Sequence, residues 1–197
     1  MTTLIIGLLV FLGIHSFSIF AATGRNAMVA RMGALPWKAL YALVAIIGFV
    51  LIVKGYAAAR LEPVLLYVPP VWTRHLAALL MLPAFILLFA AYLPGRIKTA
   101  MKHPMLVAVK LWAVAHLLAN GMLADVVLFG ALLVWAVVDR ISLKSRAPNS
   151  APPPSAPPSK FNDLIAVVGG LVLYGVFAFY LHAVSYTHLT LPTNREV

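Results

Sequence analysis

The chain alternates long apolar runs with short basic connections. Six runs stand out, at about 3–22, 37–56, 74–93, 104–120, 122–138 and 163–183. Crossing the roughly 30 Å hydrocarbon layer takes about 20 apolar residues of helix, and the first three runs and the last meet that length. The fourth and fifth are shorter, and Asn120-Gly121 between them leaves room for a tight turn only. An antiparallel hairpin fits that pair better than a re-entrant loop. The pattern predicts an all-α fold, a polytopic membrane helix bundle of about six transmembrane helices.

Composition strengthens this picture. The 197 residues are 63% hydrophobic and 10% charged, with a mean hydropathy of +0.98; soluble domains run near 45–50% apolar and 25% charged. The first run lacks the basic start and the small-residue cleavage site of a signal peptide, so it reads as a retained helix. The chain has no cysteine, which excludes disulfides, zinc–thiolate sites and thiol catalysis. The net charge of +10 would point to nucleic acid in a soluble protein. Here the basic residues lie almost wholly between apolar runs, where they set orientation and meet anionic head groups, and no nucleic acid is expected.

The distribution of Lys and Arg orients the bundle. Arg25, Arg31 and Lys38, then Arg96, Lys98 and Lys102, then Arg140, Lys144, Arg146 and Lys160 fall in the first, third and fifth connections; Lys54, Arg60 and Arg74 fall in the second. The positive-inside rule places the richer side in the cytoplasm and both termini outside. The second connection carries Tyr67, Pro69-Pro70 and Trp72, and reads as an interfacial segment along the outer surface. Four regions result: a five-helix block at 1–146, a Pro/Ser-rich linker at 147–162, a last helix at 163–184, and 185–197. The linker is expected to be extended and mobile. Gly169, Gly170 and Gly175 suggest close packing of the last helix. The ending from Ser185 resembles a translated sequencing-adapter peptide and is expected to be non-native, so His188 receives no role.

Candidate chemistry rests on histidine. His15 and His116 each sit near the middle of an apolar run, where ionisable residues are rare and mark sites. Trp112, His116 and Asn120 are spaced by four and so share one helix face, an imidazole between an indole and a carboxamide. Neutral imidazole ligates iron, copper or zinc. The depths of His15 and His116 differ by roughly 8 Å at 1.5 Å per residue, close enough for two helices to clamp a haem b between them. A bare metal ion would want more polar ligands at that depth. The plainer alternative makes both histidines hydrogen-bonded helix glue. His75 and His103, at helix starts, read as supporting residues. No carboxylate pair, Ser/His/Asp set, phosphate-binding loop or dinucleotide fingerprint occurs, and no catalytic residue is assigned.

Four segments carry a resemblance: "GIHSFSIFAATGRNAMVARMG", "RHLAALLMLPAFILLFAAY", "IKTAMKHPMLVAVKLWAVAHLLANGMLADVVLFGALLVWAVVDRISL", whose "KHPM…LWAVAHLLANG" block is the most specific, and the closing "FYLHA". With them, residues 5–145 and 163–183 resemble the NnrU family of bacterial inner-membrane proteins; the Pro-rich insert and the tail depart from it. The resemblance implies a link to nitrogen-oxide metabolism in denitrifiers. That family is similar to the zeta-carotene cis–trans isomerase, which resembles a haem b protein with histidine ligands. By this likeness His116 matches a ligand position, His103 the upstream "HP" histidine, and His15 the first-helix histidine.

The leading expectation is therefore an NnrU-type membrane protein binding haem b through His15 and His116, with Trp112 and Asn120 shaping the pocket. It would serve nitric-oxide handling or isomerise a polyene lipid, a hydrophobic small molecule. The alternative is a non-enzymatic membrane partner or assembly subunit of a nitrogen-oxide reductase or transporter. A methyltransferase of the small isoprenylcysteine type ranks last, because the Pro-rich linker stands where its cofactor pocket would be.

Overall fold

The computed structural model describes residues 1–144 and 155–181. Expectations for the first part of the linker, for His182 and His188, and for the tail at 185–197 lie outside the described residues. The helices are α1 (Thr2–Phe20), α2 (Ala22–Met32), α3 (Ala34–Ala59), α4 (Val71–Ala90), α5 (Arg96–Met101), α6 (Pro104–Ala119), α7 (Leu123–Ser142) and α8 (Asn162–Val176), the last running into a π-turn at Phe177–Leu181. Among the described residues the fold is all-α, with one isolated antiparallel bridge, Leu65 with Met122.

Four helices are long and apolar enough to cross a membrane: α1, α3, α4, and α8 continued to Phe179. The protein is an integral membrane protein. As expected, α6 is shorter, at 16 residues. By contrast, α7 runs for 20 residues, with Asp125 in its first turn and Arg140 in its last, and so extends past its expected end at 138. The first basic connection also differs from expectation, because most of it is α2. Ala, Met and Arg are good helix formers, and α2 buries none of its residues; its helicity comes from propensity and leaves no apolar pattern. Gly33 ends α2 with a φ of 88°, a conformation that side chains rarely adopt.

The described residues form two compact units, 1–77 with 112–144 and 78–111 with 155–181. In the first, α1 and α3 run antiparallel at very close range. Leu4 lies against Gly55, Gly7 against Ile52, and Phe11 against Gly48, and in each case a Cβ on the glycine would strike the partner's backbone. Small residues at such contacts let backbones approach in lipid, where packing drives association. Leu4, fully buried, Leu8 and Ile52 continue into a core with Ala113 of α6 and Leu128 and Phe129 of α7.

One end of this unit is closed by the second connection. Val64 O accepts from Leu123 N (2.8 Å), and Gly121 O accepts from Leu66 N (2.9 Å) and Tyr67 N (3.2 Å). The Tyr67 hydroxyl is shared between Asn120 O (2.7 Å) and Leu117 O. The expected surface segment is thus pinned to the α6–α7 turn, with Leu61, Val68 and Trp72 exposed. Residues 64–67 and 121–123 share one end of this unit.

In the second unit α8 packs on α4, Gly169 against Phe89 and Gly170 against Ile86. Gly175 meets nothing, so two of the three expected glycine contacts form. Asp163 accepts from Arg96 N (2.9 Å) and Ile97 N (3.1 Å), capping α5, whose own N-cap Gly95 has no side chain to do so. Asn162, 3% exposed, donates to Pro94 O (2.7 Å) and Pro157 O (3.0 Å), and Ala156 N donates to Tyr92 O (2.8 Å). These bonds dock the described end of the linker on the turn after α4.

Candidate functional site

Both mid-run histidines belong to the first unit, and each meets aromatic rings. His15 lies on the face of α1 between α3 and α7. Its ring contacts Phe11, one turn earlier on α1 (centroids 4.2 Å), Tyr41 of α3 (5.3 Å) and Trp135 of α7 (5.8 Å, nearly perpendicular). Its Nδ1 lies 2.6 Å from Phe11 O. A carbonyl only accepts, so Nδ1 carries the proton of that bond and a neutral ring has its lone pair on Nε2. Among the described residues, Nε2 has no hydrogen-bond partner.

His116 sits on α6 in a trio of rings. It stacks on Phe129 of α7 (4.3 Å, 7° between planes) and stands edge-on to Trp112 (5.2 Å, 73°), which also contacts Phe129 (4.9 Å). The Trp112–His116–Asn120 stripe forms as expected, but Asn120 works on the backbone: its Nδ2 donates to His116 O at 3.0 Å. The same carbonyl also accepts from Asn120 N (2.9 Å), so main chain and side chain of Asn120 together close the end of α6.

The two imidazoles share a helix as neighbour. Their partners on α7, Phe129 and Trp135, are six residues apart, about 9 Å of rise. The described ring contacts include none between His15 and His116. His75 is exposed on α4 in the same unit. His103 is half-buried in the second unit, where its backbone carbonyl accepts from Leu106 N at the start of α6 (3.1 Å). Neither is brought to either ring cluster by the contacts within its own unit.

A buried acid was not singled out from the sequence. Asp125, 4% exposed, accepts from the Tyr56 hydroxyl of α3 at 2.5 Å and from Met122 N at 3.3 Å, which caps α7. Arg60 lies over the Tyr56 ring, 5.7 Å from its centre. This cluster ties α3 to α7 at the end closed by Tyr67. Tyr67 lies outside the spans, and its hydroxyl is held above its ordinary pKa of 10.0, first by burial and then by the Asp125 carboxylate.

Of the rings around the histidines, Phe11 was legible, since it precedes His15 by the same four residues that link Trp112 to His116. Tyr41, Phe129 and Trp135 come from other helices and leave no local signal. Among the described residues no three His, Asp or Glu side chains gather to hold a metal ion. A haem, which takes one or two protein ligands, makes no such demand.

No curated protein and no solved structure matches the chain. The family described as NnrU protein matches residues 3–188, taking in all the described helices and both histidine clusters. The chain belongs to the NnrU family.

Proposed function

We propose that this NnrU protein is an inner-membrane haem b protein, with His15 as its principal ligand and His116 as the second. The observation that carries the proposal is the bond from His15 Nδ1 to Phe11 O at 2.6 Å. Histidines that ligate metals commonly donate their other ring N–H to a carbonyl or carboxylate, which fixes ring and tautomer together. His15 is held in that form, with Nε2 left to ligate. At His116 the stack on Phe129 covers a ring face, whereas a ligand bond leaves in the ring plane, so stacking and ligation are compatible. The donor set fits the group: two imidazoles in apolar surroundings, without the carboxylates a hard ion prefers.

When bound, haem would supply a redox-active iron, suited to handling nitric oxide or to redox-dependent isomerisation of a polyene lipid. The chain's residues would set its surroundings. Tyr41 and Trp135 orient His15, Trp112 and Phe129 orient His116, and the apolar shell excludes water and tunes potential. Both termini would be periplasmic, following the basic connections. His75 and His103 are kept as supporting residues only.

The test is a visible spectrum of the purified protein, oxidised and then reduced with dithionite. A Soret band with sharp reduced α and β bands, lost in the His15→Ala/His116→Ala variant, is expected. Colourless protein after haem supplementation refutes the proposal. A second reading, a non-enzymatic membrane partner or assembly subunit for a nitrogen-oxide reductase or transporter, draws support from the same flush stack, which also suits a structural wedge. It predicts that His15→Ala, which leaves the stack on Phe129 in place, stays functional.

A further inference from the structure

We infer that α2 and the start of α3 form a binding surface for the head groups of anionic phospholipids. Depth is the first argument. α1 runs 19 residues from Thr2 to Phe20, about 28 Å of rise and so roughly one hydrocarbon thickness. Leu4 faces Gly55, Gly7 faces Ile52 and Phe11 faces Gly48, so each step forward along α1 is a step back along α3. On that register Lys38 falls level with Ala21, just past the end of α1. The helix breaks at Ala21 (φ −134°, ψ 48°) and re-forms as the 11 residues of α2, none of them buried. Phe20 and Leu35, on either side of α2, are each 78% exposed, apolar side chains that hydrocarbon would cover. Arg25, Arg31 and Lys38 therefore stand at the level of the lipid phosphates.

Charge is the second argument. No acid precedes Glu62 in the chain, so α1, α2 and α3 bring no carboxylate. α7 reaches this end beside α1, since His15 meets Trp135 and Phe20 and Val138 line one groove. It brings Asp139 together with Arg140 and Lys144. Five basic residues thus stand against one acid. The other end of the unit carries Lys54, Arg60 and Arg74 against Glu62 and Asp125, nearly in balance. Arg25 Nη1 donates to Asn26 Oδ1 at 3.1 Å, which steadies the guanidinium without neutralising it. Among the described residues no carboxylate pairs with Arg25, Arg31 or Lys38. An acidic protein would match the charge but leave Phe20 and Leu35 in water. An anionic phospholipid matches both, with its phosphate at the basic residues and its chains at the apolar ones. The inference requires no haem at His15.

The test titrates dioctanoyl phosphatidylglycerol into the full chain in a neutral detergent. Dioctanoyl phosphatidylcholine and chain-free glycerophosphate are the controls, and melting temperature is the readout. A ligand of the folded state raises that temperature with concentration. Saturable stabilisation by phosphatidylglycerol, and none by either control, is expected. Arg31→Gln should raise the half-saturating concentration about fivefold, the scale of one basic residue at an anionic surface. Arg25→Gln/Arg31→Gln/Lys38→Gln should abolish the shift, and Lys54→Gln/Arg60→Gln/Arg74→Gln, at the other end, should keep it. The chain has no cysteine, so a spin label on Met32→Cys in phospholipid vesicles reports the depth of α2 alone, expected within the head-group layer. Stabilisation that either control matches, that the first triple variant retains, or a label fully exposed to bulk water overturns the proposal. Should that triple variant fail to fold, Arg31→Gln and the label still decide it.

Discussion

Both units join helices at glycines, and they differ in what stands beside those contacts. In the first, glycines bring backbone onto backbone: Gly55 against Leu4, Gly7 against Ile52 and Gly48 against Phe11. In the second, Gly170 also meets the backbone of Ile86, but Gly169 opposes the Phe89 ring, and the polar pair Asn162 and Asp163 fastens α8 to the turn before α5. Three backbone-on-backbone contacts along the α1–α3 seam fix its spacing closely, because backbone cannot change rotamer. The ring cluster that steadies His15 stands on that seam and on α7. Candidate chemistry has collected where the helices are least adjustable, as positioned ligands require.

The sharpest way to break this contrast is to add a methyl group to each seam. Gly55→Ala should destabilise the protein by about 3 kcal/mol, the upper part of the overpacking range, because its Cβ meets Leu4 backbone that cannot move alone. Gly169→Ala should cost roughly 1 kcal/mol or less, since the Phe89 ring can turn aside. Thermal unfolding in one detergent compares them, and equal losses would dissolve the distinction.

Next in size is the buried acid. Asp125→Ala leaves the Tyr56 hydroxyl and Met122 N without their acceptor, a loss of about 1–3 kcal/mol. A double-mutant cycle with Tyr56→Phe should return a coupling of roughly 0.5–3 kcal/mol, and a coupling near zero would mean that the 2.5 Å contact does not link α3 to α7. In the second unit, Asp163→Ala removes the cap of α5, worth about 1 kcal/mol. Hydrogen exchange should then speed up at Arg96 and Ile97 while the amides of α1 and α3 keep their protection.

The smallest effect is a pH dependence at Tyr67. Its folded pKa is raised above the ordinary 10.0, so the neutral hydroxyl is favoured in the fold. The stabilisation is fully present below the unfolded value and is lost as pH rises through the folded one. Exchange at Leu66 and Leu123 should accelerate above pH 10 in the native protein. In Tyr67→Phe it should lack that alkaline step.

Much of the fold was legible because membrane helices announce themselves by length and hydropathy. The two histidines were legible for the same reason: an ionisable residue stands out in an apolar run. The Trp112–His116–Asn120 stripe could be read because four-residue spacing is local. The hidden contacts join distant parts of the chain: Tyr56 and Asp125 are 69 residues apart, and Arg96 and Asp163 are 67 apart. No periodicity encodes such pairs. The α1–α3 seam was hidden for another reason, since Gly7, Gly48 and Gly55 look like any glycines until the antiparallel register sets each one opposite backbone. The docking of the linker's described end was hidden because composition reports chain stiffness, whereas docking depends on partners such as Tyr92 and Pro94.

The central claim is that His15, fixed through Nδ1, offers Nε2 as a ligand. The direct measurement is the reduced visible spectrum of a His15→Gly variant, without and with added imidazole. The account predicts that the α and β bands of the native protein vanish in the variant and return when imidazole occupies the space left by the side chain. Native bands persisting in His15→Gly without imidazole would contradict it.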